Sequence, residues 1–128
     1  MKKLITAVIM SVGFTGVAFA DPIEGMWKTQ PDKGIYYHVK MQQCGASLCG
    51  VFKKKFDNGK EVGSPVIGKN AIFDMRPDGK GKYAGKAYSP SKDKVFKGKG
   101  ELKGKNTLNM SGCVLGIICQ TAKWIRVN

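Results

Sequence analysis

The chain has 128 residues and a formal net charge of +13, with 22 Lys and Arg residues against nine Asp and Glu residues. This length allows one domain and hardly two. A single His and few carboxylates leave little material for acid–base catalysis or for metal binding. We therefore expect a protein that is not an enzyme and that carries no metal or other cofactor.

The first 20 residues have the pattern of a secretory signal peptide. Lys2 and Lys3 precede an apolar run over residues 4–19, and residues 18–20 (Ala-Phe-Ala) have the small-x-small pattern of a cleavage site. A membrane anchor is the alternative, but a bilayer span needs about 20 continuous apolar residues. Ser, Thr and Gly interrupt this shorter run, so we predict cleavage before Asp21 and a periplasmic or secreted location.

Cleavage would leave residues 21–128 as a single domain of 108 residues. Loss of the two leader lysines lowers the net charge from +13 to +11, and all four cysteines remain. A chain of this length can bury a modest core. An even number of cysteines in an exported chain indicates disulfides, because an oxidising compartment allows them to persist.

The remaining sequence predicts an all-β fold. Turn signals rich in Gly, Pro, Asn and Asp recur along the chain, and the short runs between them alternate polar and apolar residues. Beyond the leader, no window has an apolar stripe of helical period. The predicted strands cover residues 25–30, 34–44, 49–56, 70–76, 81–88, 94–103, 106–113 and 119–127. Short strands at this spacing are typical of a β-sandwich or a β-barrel.

The same alternation assigns side chains to the two faces of the sheet. Tyr37 and Val39 fall on the apolar side of one strand, and Phe96 and Met110 on the apolar sides of two later strands. Several other apolar-side positions are Gly, which fits tight barrel curvature or space left for a ligand. His38 falls on a polar side with no nucleophile paired to it, so we interpret it as a surface residue.

The cysteine spacing favours two local disulfides. Cys44 and Cys49 would close a hairpin loop of four residues, and Cys113 and Cys119 a loop of five. In each hairpin the two cysteines would face each other across the strand pair. Four cysteines allow three connectivities, of which this one is favoured. The C-x₄-C and C-x₅-C spacings match neither the C-x-x-C of thiol exchange nor the usual zinc pairs.

Two tryptophan motifs mark the ends of the domain. Gly25 and Trp27 lie on the first predicted strand, and Trp124 and Arg126 on the last. Gly-x-Trp at the start with an Arg on the final strand resembles the calycin (lipocalin-like) signature. The resemblance implies that Trp27 and Trp124 close the barrel and that Arg126 lies across its closed end. A guanidinium over an indole face is a favourable contact.

Further motifs extend the resemblance over nearly the whole mature chain. They are Cys-Gly-x-x-Leu-Cys-Gly at 44–50, Gly-Lys-Ala-Tyr-Ser-Pro at 85–90 and Lys-Val-Phe-Lys-Gly at 94–98. Together they resemble a family of small exported bacterial proteins classed as a domain of unknown function (number 2147). The resemblance implies an antiparallel up-and-down calycin-like barrel of about eight strands, and it implies no catalytic or binding residues.

Our leading hypothesis for function is non-enzymatic binding of a small apolar or amphipathic ligand, inside the barrel or at its mouth. Barrels of this size hold one small ligand or are filled by side chains. Residues on the apolar sides of three strands are the candidates for lining a cavity: Tyr37, Val39, Phe96 and Met110.

The second hypothesis is an envelope-interaction module that binds anionic lipid, lipopolysaccharide or another polyanion through a lysine-rich face. The candidate residues fall in two groups: Lys53, Lys54, Lys55, Lys97, Lys99 and Lys103. Lysines kept only for solubility are the alternative. We do not expect nucleic-acid binding, because the interleaved aromatic residues of alternating strands usually belong to a core and the chain is exported.

An apolar loop is the remaining unusual feature. Hairpin tips are normally polar, whereas this one carries Val114, Leu115, Ile117 and Ile118. The loop could continue the strands into the core, cover the barrel mouth, or contact a lipid or a partner. Exposed apolar patches tend to mark binding surfaces.

Overall fold

The computed structural model describes residues 20–115 and 118–128, so the predicted signal peptide lies outside the described residues except for Ala20. Nine β-strands make up the described chain. They are β1 (Gly25–Lys28), β2 (Ile35–Cys44), β3 (Ser47–Asp57), β4 (Lys60–Val62), β5 (Asn70–Pro77), β6 (Lys82–Ser89), β7 (Lys94–Lys103), β8 (Thr107–Val114) and β9 (Ile118–Arg126).

Eight of these strands close into an antiparallel up-and-down barrel. Each barrel strand pairs with the next one along the chain, and β1 pairs with β9 as well as with β2, which closes the ring. The short β4 is not a barrel strand and pairs with β3. The predicted all-β barrel of about eight strands is therefore confirmed.

The hairpin between β2 and β3 differs from the prediction. Its turn is the two-residue pair Gly45 and Ala46, so the predicted four-residue loop is wrong. Cys49 consequently lies opposite Gln42 rather than opposite Cys44. Gly45 has a φ of +71°, a conformation that glycine adopts without a steric penalty and that two-residue hairpin turns require.

Both cysteine pairs are the local ones that the spacing favours. Cys44 and Cys49 pair diagonally across the first hairpin, with their Cα atoms 5.8 Å apart. Cys113 and Cys119 lie directly opposite each other on β8 and β9, with a Cα–Cα distance of 4.0 Å. Each disulfide therefore staples a hairpin to itself rather than linking distant parts of the barrel.

Apolar side chains fill the interior of the barrel around Trp27. The largest fully buried side chains are Trp27, Ile23, Met41, Ile72, Met75, Leu108 and Val39. A Cβ atom built on the inward-facing Gly50 would lie 2.7 Å from the Met41 sulfur and 2.9 Å from Val39 Cγ1. This glycine thus makes room for its neighbours and leaves no space for a ligand, as dense core packing requires.

The N-terminal segment and the last strand close one end of the barrel, which we call the closed end. Trp27 is fully buried, and its indole N–H donates a hydrogen bond of 2.8 Å to the carbonyl of Ile23. The guanidinium carbon of Arg126 lies 4.4 Å from the centre of the Trp27 ring. The guanidinium also donates hydrogen bonds to three backbone carbonyls, those of Pro22 (2.6 Å), Glu24 (2.7 Å) and Lys105 (2.9 Å).

The glycine of the Gly-x-Trp motif belongs to the same arrangement. Gly25 has a φ of +131°, and a side chain built on it would collide with the Arg126 guanidinium. Trp124 lies two residues before Arg126, is 7% exposed and packs in the core opposite Leu108. The motif residues at the two ends of the domain therefore form one contiguous contact.

Candidate functional site at the open end of the barrel

The opposite end of the barrel, which we call the open end, is built from four connections. They join β1 to β2, β3 to β5 through β4, β6 to β7, and β8 to β9. These connections lie together because neighbouring strands run in opposite directions. Residues 21–24 lie at the other end of the barrel, where Ile23 and Pro22 contact Trp27 and Arg126.

Three aromatic side chains meet near this end, and we call them the mouth cluster: Tyr37, Phe52 and Tyr88. The ring centres of Tyr37 and Phe52 are 5.0 Å apart, and those of Phe52 and Tyr88 are 6.4 Å apart in an edge-to-face arrangement. Phe52 is 2% exposed, whereas both tyrosines are half-buried. Phe52 thus forms the floor of the cluster and the tyrosines its partly accessible walls.

The tyrosine hydroxyls of the cluster are neutral hydrogen-bonding groups. Burial raises the pKa of Tyr37 above its usual value. Tyr88 donates a hydrogen bond of 2.8 Å to Asp93, and this bond raises the pKa of Tyr88. Both hydroxyls therefore stay protonated at neutral pH, so the cluster presents apolar rings with polar tips.

A lysine shares the inner face with the mouth cluster. Lys55 lies directly opposite Tyr37 and is half-buried. Its orientation follows from a β-bulge, because His38 pairs with Lys54 while Val39 pairs with Phe52, which leaves an extra residue in β3. The bulge shifts the alternation and turns Lys55 to the inside.

The four predicted cavity residues do not line one space. Val39 and Met110 are 0% and 5% exposed and belong to the packed core. Tyr37 and Phe96 are half-buried and lie higher, toward the open end. Of the four, only this second pair is therefore accessible enough to touch a ligand.

A row of three inward-facing glycines separates the packed core from the mouth. Gly85 pairs with Gly98, and Gly98 pairs with Gly112, so the three lie side by side on β6, β7 and β8. A Cβ atom would lie 2.6 Å from a β5 carbonyl oxygen at Gly85, 3.1 Å from backbone at Gly98 and 3.6 Å from Phe96 at Gly112. The space beside this row thus increases from β6 toward β8, where the Phe96 ring occupies it.

Two depressions of the described structure lie on the outer surface. One, of about 650 Å³, includes Lys99, Ser111 and Thr121, the last two joined by a hydrogen bond of 2.8 Å between their hydroxyls. The other, of about 590 Å³, includes Lys54 and Glu61. Both depressions are open to solvent, and neither contains any of the four predicted cavity residues.

The structure divides the six candidate lysines for polyanion binding. One group lies on β3 and the other on β7, and β5 and β6 separate these two strands. Lys54 lies 3.9 Å from Glu61, and Lys103 lies 3.2 Å from Glu101. Since Lys55 also faces inward, the six do not form one face.

A further lysine completes the second group. Lys86 on β6 lies directly opposite Lys97 on β7, and Lys99 follows on the same outer face. Two like charges at directly opposite positions repel each other. Alternation alone places Lys86 on an outer face, but only the register between β6 and β7 brings it opposite Lys97.

The described part of the apolar loop is exposed. Leu115 is 84% exposed, Ile118 is 64% exposed and Val114 is 46% exposed. These three residues do not continue into the core, so that interpretation of the loop is wrong for them. Ile117, the fourth predicted residue, lies outside the described residues.

The one His lies in an aromatic cluster on the outer wall. His38 and Tyr36 both contact Phe56, with ring-centre distances of 4.6 Å and 4.9 Å. Partial burial, together with the charges of Lys54 and Lys28, lowers the pKa of His38. His38 therefore lies on the outer surface, as the alternation predicts, and Phe56 covers part of its ring.

No group of three or more His, Cys, Asp or Glu side chains is arranged to hold a metal ion in residues 20–115 and 118–128. The same residues contain no helix with the length and apolar character that crossing a bilayer demands.

Comparison with known proteins agrees with the geometry. A family model described as "Uncharacterized protein conserved in bacteria (DUF2147)" matches residues 25–126. The chain belongs to this family. The match runs from the glycine of the Gly-x-Trp motif to the arginine that covers the tryptophan, so it spans the whole closed barrel.

A solved structure has the same fold. It is described as "Protein HP1028 from the human pathogen Helicobacter pylori belongs to the lipocalin family" and is 16% identical to this chain, with a TM-score of 0.68. The likeness covers 86% of this chain and 85% of that one, and at this identity it shows the fold alone. No curated protein matches the sequence.

Proposed function

We propose that this protein binds a small amphipathic ligand at the open end of its barrel, without catalysis. The observation that carries the proposal is the mouth cluster, in which two half-buried tyrosines stand over a buried phenylalanine. Aromatic side chains with a few placed polar groups are typical of small-molecule sites. The lipocalin-like fold supports the proposal because barrels of this size accommodate one small ligand.

The packing limits how deep such a ligand reaches. Val39 and Met110 are covered by other core residues, and Gly50 leaves no free space. An apolar group would therefore rest on Phe52 and Phe96 rather than descend toward Trp27. This depth favours a short apolar group over a long chain that is fully enclosed.

The inner face also supports a preference for an anionic head group. Lys55 lies across from Tyr37, and its ammonium group can pair with a carboxylate or phosphate while the apolar part contacts the rings. The protonated hydroxyl of Tyr37 is a donor that can add a hydrogen bond, whereas the hydroxyl of Tyr88 already donates its proton to Asp93. A fatty acid or another single-chain anionic amphiphile has this chemistry.

A fluorescent fatty-acid probe tests the proposal, with adjacent residues of β2 as matched variants. Tyr37→Ser removes a wall of the mouth cluster and should weaken probe binding by roughly tenfold, since about 1.4 kcal/mol of contact is lost. Tyr36→Ser removes the same side chain from the outer face and should leave binding unchanged. Lys55→Gln should weaken binding less, and Lys54→Gln should not weaken it.

Three results would refute the proposal. The first is the absence of saturable binding by the exported protein with its disulfides formed. The second is equal weakening by Tyr36→Ser and Tyr37→Ser. The third is turnover of the probe, because the proposal includes no reaction. Circular dichroism of each variant separates loss of the site from loss of the fold.

Export to the periplasm, or secretion, is part of the same proposal. Two disulfides support it, because such bonds persist in oxidising compartments. Intact-mass measurement of protein from the periplasmic fraction should give a chain that begins at Asp21 and lacks four thiol hydrogens. A mass that retains residues 1–20 would contradict cleavage.

Polyanion binding is a second candidate, favoured by the repulsion between Lys86 and Lys97. An anionic polymer along the outer face of β7 would relieve that repulsion. Retention on a heparin column should then fall with rising salt. The double variant of Lys97 and Lys99 to Gln should elute earlier than the matched variant of Lys53 and Lys54, and equal shifts would indicate only non-specific attraction.

A further inference from the structure

Exposed apolar side chains are concentrated at the open end. Of the seven large hydrophobic residues that are exposed in the described chain, five lie there and two lie near the closed end. Four of the five occupy one sector of the edge, which we call the apolar rim: Val95, Val114, Leu115 and Ile118. Exposed apolar side chains that are concentrated at one end of a small protein indicate a contact with something less polar than water.

Strand register holds the rim together. Val114 pairs with Ile118 across the β8–β9 hairpin, and the disulfide between Cys113 and Cys119 lies directly beneath that pair. Val95 lies near the start of β7, two residues before Lys97, and Lys97 pairs with Cys113. Val95 is therefore closer to the open end than the disulfide. The rim is thus carried by neighbouring strands and braced at its base.

Four lysines of β6, β7 and the connection between them lie on the same sector as the rim, and we call them the basic collar. The collar consists of Lys86, Lys92, Lys94 and Lys97, all exposed. Asp93 is the acidic residue within this stretch, and it accepts a hydrogen bond from Tyr88. The ion pairs of the described residues, Lys54–Glu61 and Lys103–Glu101, do not involve the collar.

We propose that the apolar rim and the basic collar dock the open end on an anionic phospholipid bilayer. The rim residues would enter the interfacial region while the collar lysines remain at the level of the head groups. Lysines near an anionic surface contribute attraction additively and within a Debye length. Charge complementarity therefore favours an anionic bilayer over a second copy of this strongly basic chain.

Docking would also orient the proposed ligand site. The mouth cluster and the apolar rim lie at the same end of the barrel, so a docked protein turns its mouth toward the lipid. An amphipathic ligand could then pass between bilayer and mouth without crossing water. The docking proposal goes beyond the ligand proposal and does not require it.

Vesicle flotation of the exported protein tests the docking. Vesicles with phosphatidylglycerol in phosphatidylcholine should bind the protein, and pure phosphatidylcholine should bind much less. The double variant Leu115→Ser and Ile118→Ser should reduce partitioning by roughly tenfold or more, because two large apolar side chains no longer enter the interface.

The closed end provides a matched control. Ile125 and Val127 are 42% and 41% exposed, and their replacement by Ser removes exposed apolar surface at the opposite end. This control should bind vesicles as the unaltered protein does. The double variant Lys94→Gln and Lys97→Gln should bind roughly tenfold less and should depend less on salt.

Other outcomes would overturn the docking. Equal losses from the rim variant and from the closed-end control would show that no particular end docks. Binding that salt abolishes but the rim variant retains would show polyanion binding by the lysines alone. A concentration-dependent dimer that the rim variant abolishes, without vesicle binding, would show that a second copy covers the rim.

The fatty-acid probe in the absence of vesicles separates this proposal from the ligand proposal. The rim variant should keep its affinity for the probe, because Leu115 and Ile118 are not in the mouth cluster. Tyr37→Ser should lose probe affinity and still float with anionic vesicles. Either proposal can thus fail while the other holds.

Discussion

The closed and open ends of this barrel use aromatic and apolar residues differently: one end buries them and the other leaves them accessible. At the closed end, Trp27 is fully buried and Arg126 satisfies three backbone carbonyls over its ring. At the open end, Tyr37 and Tyr88 are only half-buried, and Leu115 is almost fully exposed. The same closed sheet therefore devotes one end to stability and leaves apolar surface accessible at the other.

The largest expected difference between the two ends appears when an aromatic residue is removed from each. Trp27→Ala should destabilise the fold by about 3–5 kcal/mol, because it leaves a cavity under Arg126. Tyr37→Ala should cost roughly 1 kcal/mol, since its ring is already partly solvated. Urea denaturation followed by circular dichroism measures both, and equal losses would contradict the division between the ends.

The glycine row locates the boundary between the two regions. Gly85→Ala should cost roughly 1–3 kcal/mol, because its Cβ atom would meet β5 backbone that cannot move aside easily. Gly112→Ala should change stability by less than about 0.5 kcal/mol, since its nearest contact with Phe96 is at an ordinary distance. The same denaturation assay decides, and a cost at Gly112 that matches the cost at Gly85 would place the packed core higher in the barrel.

The smallest expected effect concerns the outer wall near the open end. The pKa of His38 is lowered in the fold, so at mildly acidic pH the unfolded chain binds more protons than the folded one. The free energy of unfolding should therefore not depend on His38 above the ordinary pKa of about 6.5, and it should decline as the pH falls below that value. His38→Gln should flatten this part of the profile of melting temperature against pH, and an unchanged profile would assign the dependence to other groups.

The fold was largely predictable because its signals are local. Turn residues, alternation and hairpin cysteines each act within a few positions, and the Gly-x-Trp and Trp-x-Arg motifs indicate how the ends meet. The two-residue turn at Gly45 and the short β4 escaped prediction. Both depend on details of turn geometry that several sequences satisfy equally well.

The candidate site was less predictable because it depends on register. The run Lys53-Lys54-Lys55 reads as one basic patch, yet a single extra residue in β3 sends Lys55 to the inside. Phe52 and Tyr88 come together from strands that are not neighbours in the sheet. Periodicity assigns a residue to a face, but it does not say which residues share a height along the barrel.

The Arg126 contact also constrains when the barrel can form. Its guanidinium binds the carbonyl of Pro22, which is 104 residues earlier in the chain. The pairing of β1 with β9 therefore cannot form until the last strand is available. Contacts between residues this far apart in sequence slow folding. Closure of the ring at this contact therefore has to follow the formation of β9.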